Sequence, residues 1–160
     1  MVYTPQTWSD LPSTATPISA ARLQHIEDGI ADLGDWVSYT PTTTGITLGN
    51  GTLAGEYTRI GDSVIFSVQF VLGNTSAVTG TISFTLPTTA VSPTWPGVGQ
   101  FLDVTANYFT VLVNPTTTTG QLYAVDSSGG YAQAGIPSAT IPFTWTTNDI
   151  IRLSGFYRSA

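Results

Sequence analysis

Cysteine and lysine are both absent from this chain, and each absence excludes a class of chemistry. Without cysteine there is no disulfide, no thiolate nucleophile and no cysteine metal site. Only four arginines stand against ten acidic residues, and the formal net charge is −6. Nucleic acids and anionic membrane surfaces are bound through clusters of basic residues. The composition therefore argues against both as partners.

Charge and long apolar runs are also scarce. Charged residues make up 9% of the 160 residues, well below the usual quarter. No apolar run approaches the length of about 18 residues that spans a bilayer, so no membrane insertion is expected. The N-terminus has neither a basic region nor an apolar region, so we expect no signal peptide. Hydrophobic residues make up 41%, enough for one domain with its own core.

Catalytic motifs are missing as well. His25 is the single histidine, so no His pair or His/Cys set for zinc exists. The sequence has neither a phosphate-binding G-x-x-x-x-G-K-S/T loop nor a G-x-S-x-G nucleophile elbow. Acids lie mostly beside turns, where carboxylates accept backbone N–H bonds: Asp62, Asp103, Asp126 and Asp149. We therefore expect no catalytic residue, no cofactor and no metal, with a carbohydrate-active or wall-degrading hydrolase as a minor alternative.

Residues 1–16 are rich in Thr, Ser and Pro, and Pro5 and Pro12 favour extended or turn backbone. Such a segment cannot bury itself. It is therefore either a mobile terminus or an arm laid on a partner. If it is an arm, Trp8 and Leu11 are the expected anchors.

Residues 17–33 are predicted to form a helix, with Pro17 suited to the first turn. Its apolar positions recur at steps of three, four and three, which is the a/d spacing of a coiled-coil seam. They are Leu23, Ile26, Ile30 and Leu33. Because so short a helix is marginal alone, the seam packs either on its own β domain or on helices of other copies.

Residues 36–160 are predicted to form strands separated by turns. Alternation is clearest in residues 63–72, where every second side chain is apolar. Gly61-Asp62 predicts a tight hairpin turn before it. Further strands are predicted at residues 52–60, 81–86, 99–104, 108–113, 121–125, 140–145 and 150–157. The expected fold is mainly β, an antiparallel β-sandwich or jelly-roll (36–160), preceded by an arm and an oligomerising helix (1–35).

Aromatic residues in loops are candidates for ligand contact. Trp95 lies among prolines, and Tyr131 follows a Ser-Gly-Gly turn. Exposed Trp and Tyr rings stack on sugar rings, whereas buried ones fill a core or a subunit interface. For the aromatic residues as a group we favour packing in the core or in a subunit interface, and we name Trp95 and Tyr131 as possible glycan contacts because they lie in loops.

Two stretches resemble known virion proteins. Residues 4–8 (TPQTW) followed by residues 17–30 (PISAARLQHIEDGI) resemble the N-terminal motif of tail-fibre and minor tail proteins of phages that infect actinobacteria. Residues 36–87, which include GNGTLAGEYTRIGDSV, look like a β domain found in virion proteins of the same phages. The resemblance implies a homotrimer located in the virion, attached through its N-terminal segment to other tail or capsid proteins.

Two functions follow as expectations from that resemblance. One is a tail fibre or minor tail protein whose β domain contacts host-surface glycan. The other is a head decoration protein that stabilises the capsid shell, since the motif starts close to Met1 and the chain resembles a single stand-alone module.

Overall fold

The computed structural model describes residues 20–31, 33–91, 97–105, 107–127, 129 and 132–160. The chain separates into two units, with the boundary between Asp35 and Trp36. The first contains a helix, and the second contains the strands.

Helix α1 spans Ala20–Ala31, within the 17–33 predicted. Residues 17–19 lie outside the described part of the chain. The prediction is wrong at the other end, because Leu33 lies in a turn beyond the helix. There the Leu33 amide donates to the Ile30 carbonyl at 3.1 Å, three residues back instead of four. Gly34 follows with φ of 87°, a conformation that ends helices.

Ten strands lie in the described residues of the second unit. In chain order they are Val37–Tyr39 (β1), Thr43–Thr47 (β2), Thr52–Ile60 (β3), Ser63–Val71 (β4), Ala77–Thr85 (β5), Gly97–Leu102 (β6), Tyr108–Pro115 (β7), Thr119–Asp126 (β8), Gln133–Gly135 (β9) and Ile150–Arg158 (β10). Every paired neighbour is antiparallel. The prediction of a mainly β, antiparallel fold is confirmed.

The strands form one sheet that curls on itself. Its order is β1-β3-β4-β10-β6-β7-β8-β5-β2, with β9 paired to β8. The two end strands, β1 and β2, are consecutive in the chain and are joined by residues 40–42 alone. A link of that length reaches about 14 Å at most, so the two edges of the sheet come close together. This curl is compatible with a β-sandwich.

Ring contacts cross the interior of the curl. Phe66 on β4 lies 5.6 Å from Phe84 on β5, measured between ring centroids, although four strands separate β4 from β5 in the sheet. The core side chains are Val64, Phe66, Val68, Phe70, Leu72, Val78, Ile82, Phe84, Leu86, Ala90, Phe101, Val111, Val113, Leu122, Ala124, Ile151, Leu153 and Tyr157. The alternation predicted for residues 63–72 is therefore confirmed, because its apolar set lies in this core.

Three aromatic rings each face a glycine on the neighbouring strand. Tyr39 is opposite Gly55, Phe66 is opposite Gly155, and Phe84 is opposite Gly120. A Cβ atom at Gly120 would lie 2.6 Å from the Phe84 ring. The missing side chain thus provides the space that each ring occupies, a pairing known to support glycines in sheets.

One strand prediction is wrong and three strands were missed. Residues 140–145 form a loop with an isolated bridge between Ser138 and Ile141. Pro142 has no amide hydrogen for a ladder bond, which disfavours a strand there. Strands β1, β2 and β9 have three to five residues, too few to produce a clear alternation in the sequence.

Two tyrosine hydroxyl groups inside the β unit differ in their hydrogen bonding. The Tyr157 hydroxyl donates to the Thr88 carbonyl at 2.9 Å and accepts from the Thr88 amide at 3.1 Å. The Tyr39 hydroxyl is buried and finds no hydrogen-bond partner among the described residues. Burial raises the pKa of Tyr39 and, less strongly, that of Tyr157. The Tyr39 hydroxyl is therefore a cost to the fold, and the Tyr157 hydroxyl a gain.

The glycine–ring packing is tested by replacing Gly120 with alanine. The added methyl group meets the Phe84 ring and Val113, and overpacking of this kind costs about 1–3 kcal/mol of unfolding free energy. Gly80→Ala is the matched control, since a Cβ atom there has no neighbour within 4 Å. We expect it to leave stability unchanged or to raise it slightly. Urea unfolding measures both, and equal effects would contradict the proposed packing.

The tyrosines are tested by unfolding between pH 7 and pH 11. Because the folded chain raises the pKa of Tyr39 above its unfolded value of about 10, stability is full below that pH and falls as pH rises beyond it. Tyr39→Phe should reduce this alkaline loss and should leave stability at pH 7 unchanged or raise it, because a buried hydroxyl without a partner is removed. Tyr157→Phe should cost about 1 kcal/mol at pH 7, because the bonds to Thr88 are lost. A larger loss at pH 7 for Tyr39→Phe than for Tyr157→Phe would contradict this assignment.

Candidate oligomerisation helix and contact surfaces

The predicted seam of α1 is exposed. The exposed fractions are 51% for Leu23, 67% for Ile30 and 62% for Leu33, and Ile26 is half-buried. Leu23, Ile26 and Ile30 lie within the helix at steps of three and four, which places them along one side. Leu33 lies beyond the helix end and extends this apolar set only from the following turn.

The helix has little stabilisation of its own. Its first turn has no acid and its last turn has no base, so neither turn adds a charge that favours the helix dipole. The Gln24 side chain donates to the Asp28 carboxylate at 2.7 Å, a contact that contributes a few tenths of a kcal/mol. Twelve residues are too few for a stable isolated helix in water. Its stability must come from packing of the apolar side.

Four predicted contact residues lie outside the described part of the chain. They are the arm anchors Trp8 and Leu11 and the loop aromatics Trp95 and Tyr131. Their roles stay predictions.

The loop before β10 carries an aromatic cluster that sequence reasoning missed. Phe143 lies 4.5 Å from Trp145 and 5.1 Å from Phe109, and Trp145 lies 5.0 Å from the core ring Phe101. The Trp145 indole donates to the Ser138 carbonyl at 2.9 Å. These rings pack against the core, which favours the core alternative for Trp145. Clustering of Phe143 and Trp145, two residues apart, was the signal available in the sequence.

Two aspartates of the β unit accept hydrogen bonds from backbone amides of its loops. Asp149 is fully buried and accepts hydrogen bonds from the Thr146 amide and, at 3.0 Å, from the Val104 amide. Asp103 accepts from the Thr105 amide at 2.9 Å. The prediction that turn acids accept backbone N–H bonds is confirmed for both residues.

Within the described part of the β unit, Asp62 forms ion pairs with two arginines. Exposed Asp62 lies 3.9 Å from Arg59 and 3.7 Å from Arg158, distances that contribute little at a surface. Within the described ranges, no group of three or more His, Asp or Glu residues is placed to hold a metal ion. Nor does any helix in that part of the chain have the length and apolar character needed to cross a membrane.

Comparisons with protein-family models, with curated proteins and with solved structures find no match for this chain. The resemblance to phage tail proteins stays a prediction from the sequence motifs.

Proposed function

We propose that this chain is a non-enzymatic structural protein of a phage particle, specifically a homotrimeric tail-fibre or minor tail protein that contacts host-surface glycan. The observation that carries the proposal is the exposed apolar side of a helix too short to be stable alone. The likeness of residues 4–8 and 17–30 to tail-protein N-termini supports it.

The apolar side of α1 acts as the assembly element. Burying one Leu or Ile side chain stabilises by about 1.5–3 kcal/mol, and each copy contributes Leu23, Ile26 and Ile30. Mixed Leu and Ile at these positions favours bundles of more than two helices. A trimer of identical helices supplies the packing that a single copy lacks.

The β unit acts as the displayed part. Its described residues enclose a continuous hydrophobic core, while the chain as a whole has few charges and many hydroxyl side chains. Such a surface offers hydrogen-bond partners to a neutral glycan without attracting polyanions. Trp95 and Tyr131 remain the proposed stacking residues.

The helix is tested by the double replacement Ile26→Asp and Ile30→Asp. Charges buried in the seam without partners are strongly unfavourable, so we expect the oligomer to dissociate to monomers. Light scattering coupled to size exclusion measures the mass. An unchanged oligomer mass would mean that the helix is not the contact between copies.

The matched control for that experiment is Ala21→Asp with His25→Asp, which has the same i,i+4 spacing as the test pair. Both positions are exposed and lie off the seam, so the same two charges enter the helix without entering the contact. The control should keep the oligomeric mass of the unmodified chain.

The location is tested by counting copies in purified particles with quantitative mass spectrometry against the major capsid protein. A tail protein is present in a handful of copies. An amount comparable with the capsid protein would instead identify a head decoration protein, and particles lacking it should then lose heat resistance. Failure of the free protein to bind host cells or to compete with phage adsorption would contradict the glycan-contact part of the proposal.

A further inference from the structure

The outer face of the sheet carries a diagonal apolar stripe. It crosses six neighbouring strands, β3, β4, β10, β6, β7 and β8, with one residue from each. In that order its members are Ile60, Ile65, Phe156, Val98, Leu112 and Tyr123. Ile65, Phe156, Leu112 and Tyr123 each adjoin an inward core residue, whereas Ile60 lies three positions from Tyr57 and Val98 three positions from Phe101. An odd spacing along a strand places two side chains on opposite faces, so all six point to the outer side of the sheet.

Strand register makes the stripe continuous. Ile65 is opposite Phe156, and Leu112 is opposite both Val98 and Tyr123. Such pairs have Cβ atoms about 5 Å apart. Phe156 is two residues from Ser154, the partner of Val98, and this diagonal distance is within reach of an aromatic ring. Ile60 is joined to Ile65 by the same diagonal step, since Ile60 is opposite Ser63.

The stripe is exposed to an extent that is unusual for large apolar side chains on neighbouring strands. Phe156 is 60% exposed and Val98 is 56% exposed. Ile60, Ile65 and Leu112 are exposed too, and Tyr123 is half-buried. Contiguous apolar patches of this kind on soluble proteins commonly mark contact sites.

The net charge around the stripe bears on which partner it can contact. The outward positions of these strands and the Gly61–Asp62 turn carry two acids and two arginines, which are Glu56, Asp62, Arg152 and Arg158. Their formal charges sum to zero, whereas the whole chain carries −6. Two copies of this acidic chain repel each other in general, and this neutral face adds no net repulsion of its own.

We propose that the stripe is the contact between the β units of neighbouring copies in the oligomer, an inference that rests on the proposed helix-mediated assembly. A patch of this kind offers roughly 300–600 Å², less than the ~800 Å² per partner of a stable free interface. It suffices when another contact already holds the copies together, because tethering raises the effective concentration to about millimolar. The surface that covers the stripe is therefore the outer face of the sheet of a second copy of this chain.

The experiment measures maleimide reactivity of a single cysteine placed in the stripe of the full chain. Since the chain has no cysteine, Val98→Cys introduces the only thiol. Thr79→Cys on β5 is the matched control, because it is exposed and points outward from a strand that does not carry the stripe. Both are made in the unmodified chain and in the Ile26→Asp/Ile30→Asp background.

The expected result is protection that depends on the oligomer. A contact with a Kd of about 0.1 mM is about 90% formed at millimolar effective concentration, so the Val98→Cys thiol should react about tenfold more slowly than the control. In the monomeric background the two thiols should react alike. Adding Phe156→Ser to the oligomeric Val98→Cys chain should restore fast reaction without lowering the mass.

Three results would overturn the proposal, and each is distinct. Equal reactivity of both thiols in an oligomer of unchanged mass would reject the stripe contact and leave the helix assembly standing. Protection that persists in the monomer would mean that the stripe is covered within one chain. A monomeric unmodified chain would reject the helix assembly and the stripe contact together.

Discussion

Packing of an aromatic ring onto a glycine of the facing strand is the contact on which the curled sheet depends. The three pairs lie at one edge of the sheet (Tyr39–Gly55), at its centre (Phe66–Gly155) and near its other edge (Phe84–Gly120). The central ring also lies 5.6 Å from Phe84 and 6.1 Å from Tyr157. Without the space that glycine leaves, these rings would hold the two halves of the curl apart.

The centre of the sheet is completed by the last strand in the sequence. Strand β10 pairs with β4 on one side and with β6 on the other, and Asp149 stands immediately before it. The buried Asp149 carboxylate binds the Val104 amide, and its carbonyl accepts from the Leu72 amide at 2.9 Å. One residue thus joins the loops that follow β4 and β6 to the start of β10. Pairings of such sequence separation form late and slowly in folding.

Two weak contacts combine in the proposed assembly. The apolar side of α1 is short, and an apolar patch of the usual size is smaller than a free interface requires. Because the helix and the stripe belong to one chain, formation of either contact raises the effective concentration at which the other contact forms. A particle protein built this way assembles as one unit while its loops remain available for other contacts. The chain has no lysine and only four arginines to attract polyanions.

Local pattern was enough to predict the parts of the fold that depend on a residue and its near neighbours. The alternation of residues 63–72, the Gly61-Asp62 turn and helix α1 were all visible in the sequence, because strand and helix periods are properties of the local backbone. The backbone N–H bonds of Asp103 and Asp149 followed from turn chemistry in the same way.

Tertiary structure decided everything that depends on register between distant strands. The loop at 140–145 has an apolar pattern like a strand, yet its rings are used to cover Phe101 and Phe109. Strand order, the glycine opposite each core ring and the outer stripe all follow from pairings between residues as far apart as Ile65 and Phe156. A one-residue change of register would turn every side chain to the other face. Only the folded sheet therefore determines which apolar residues form its core and which are exposed on its outer face.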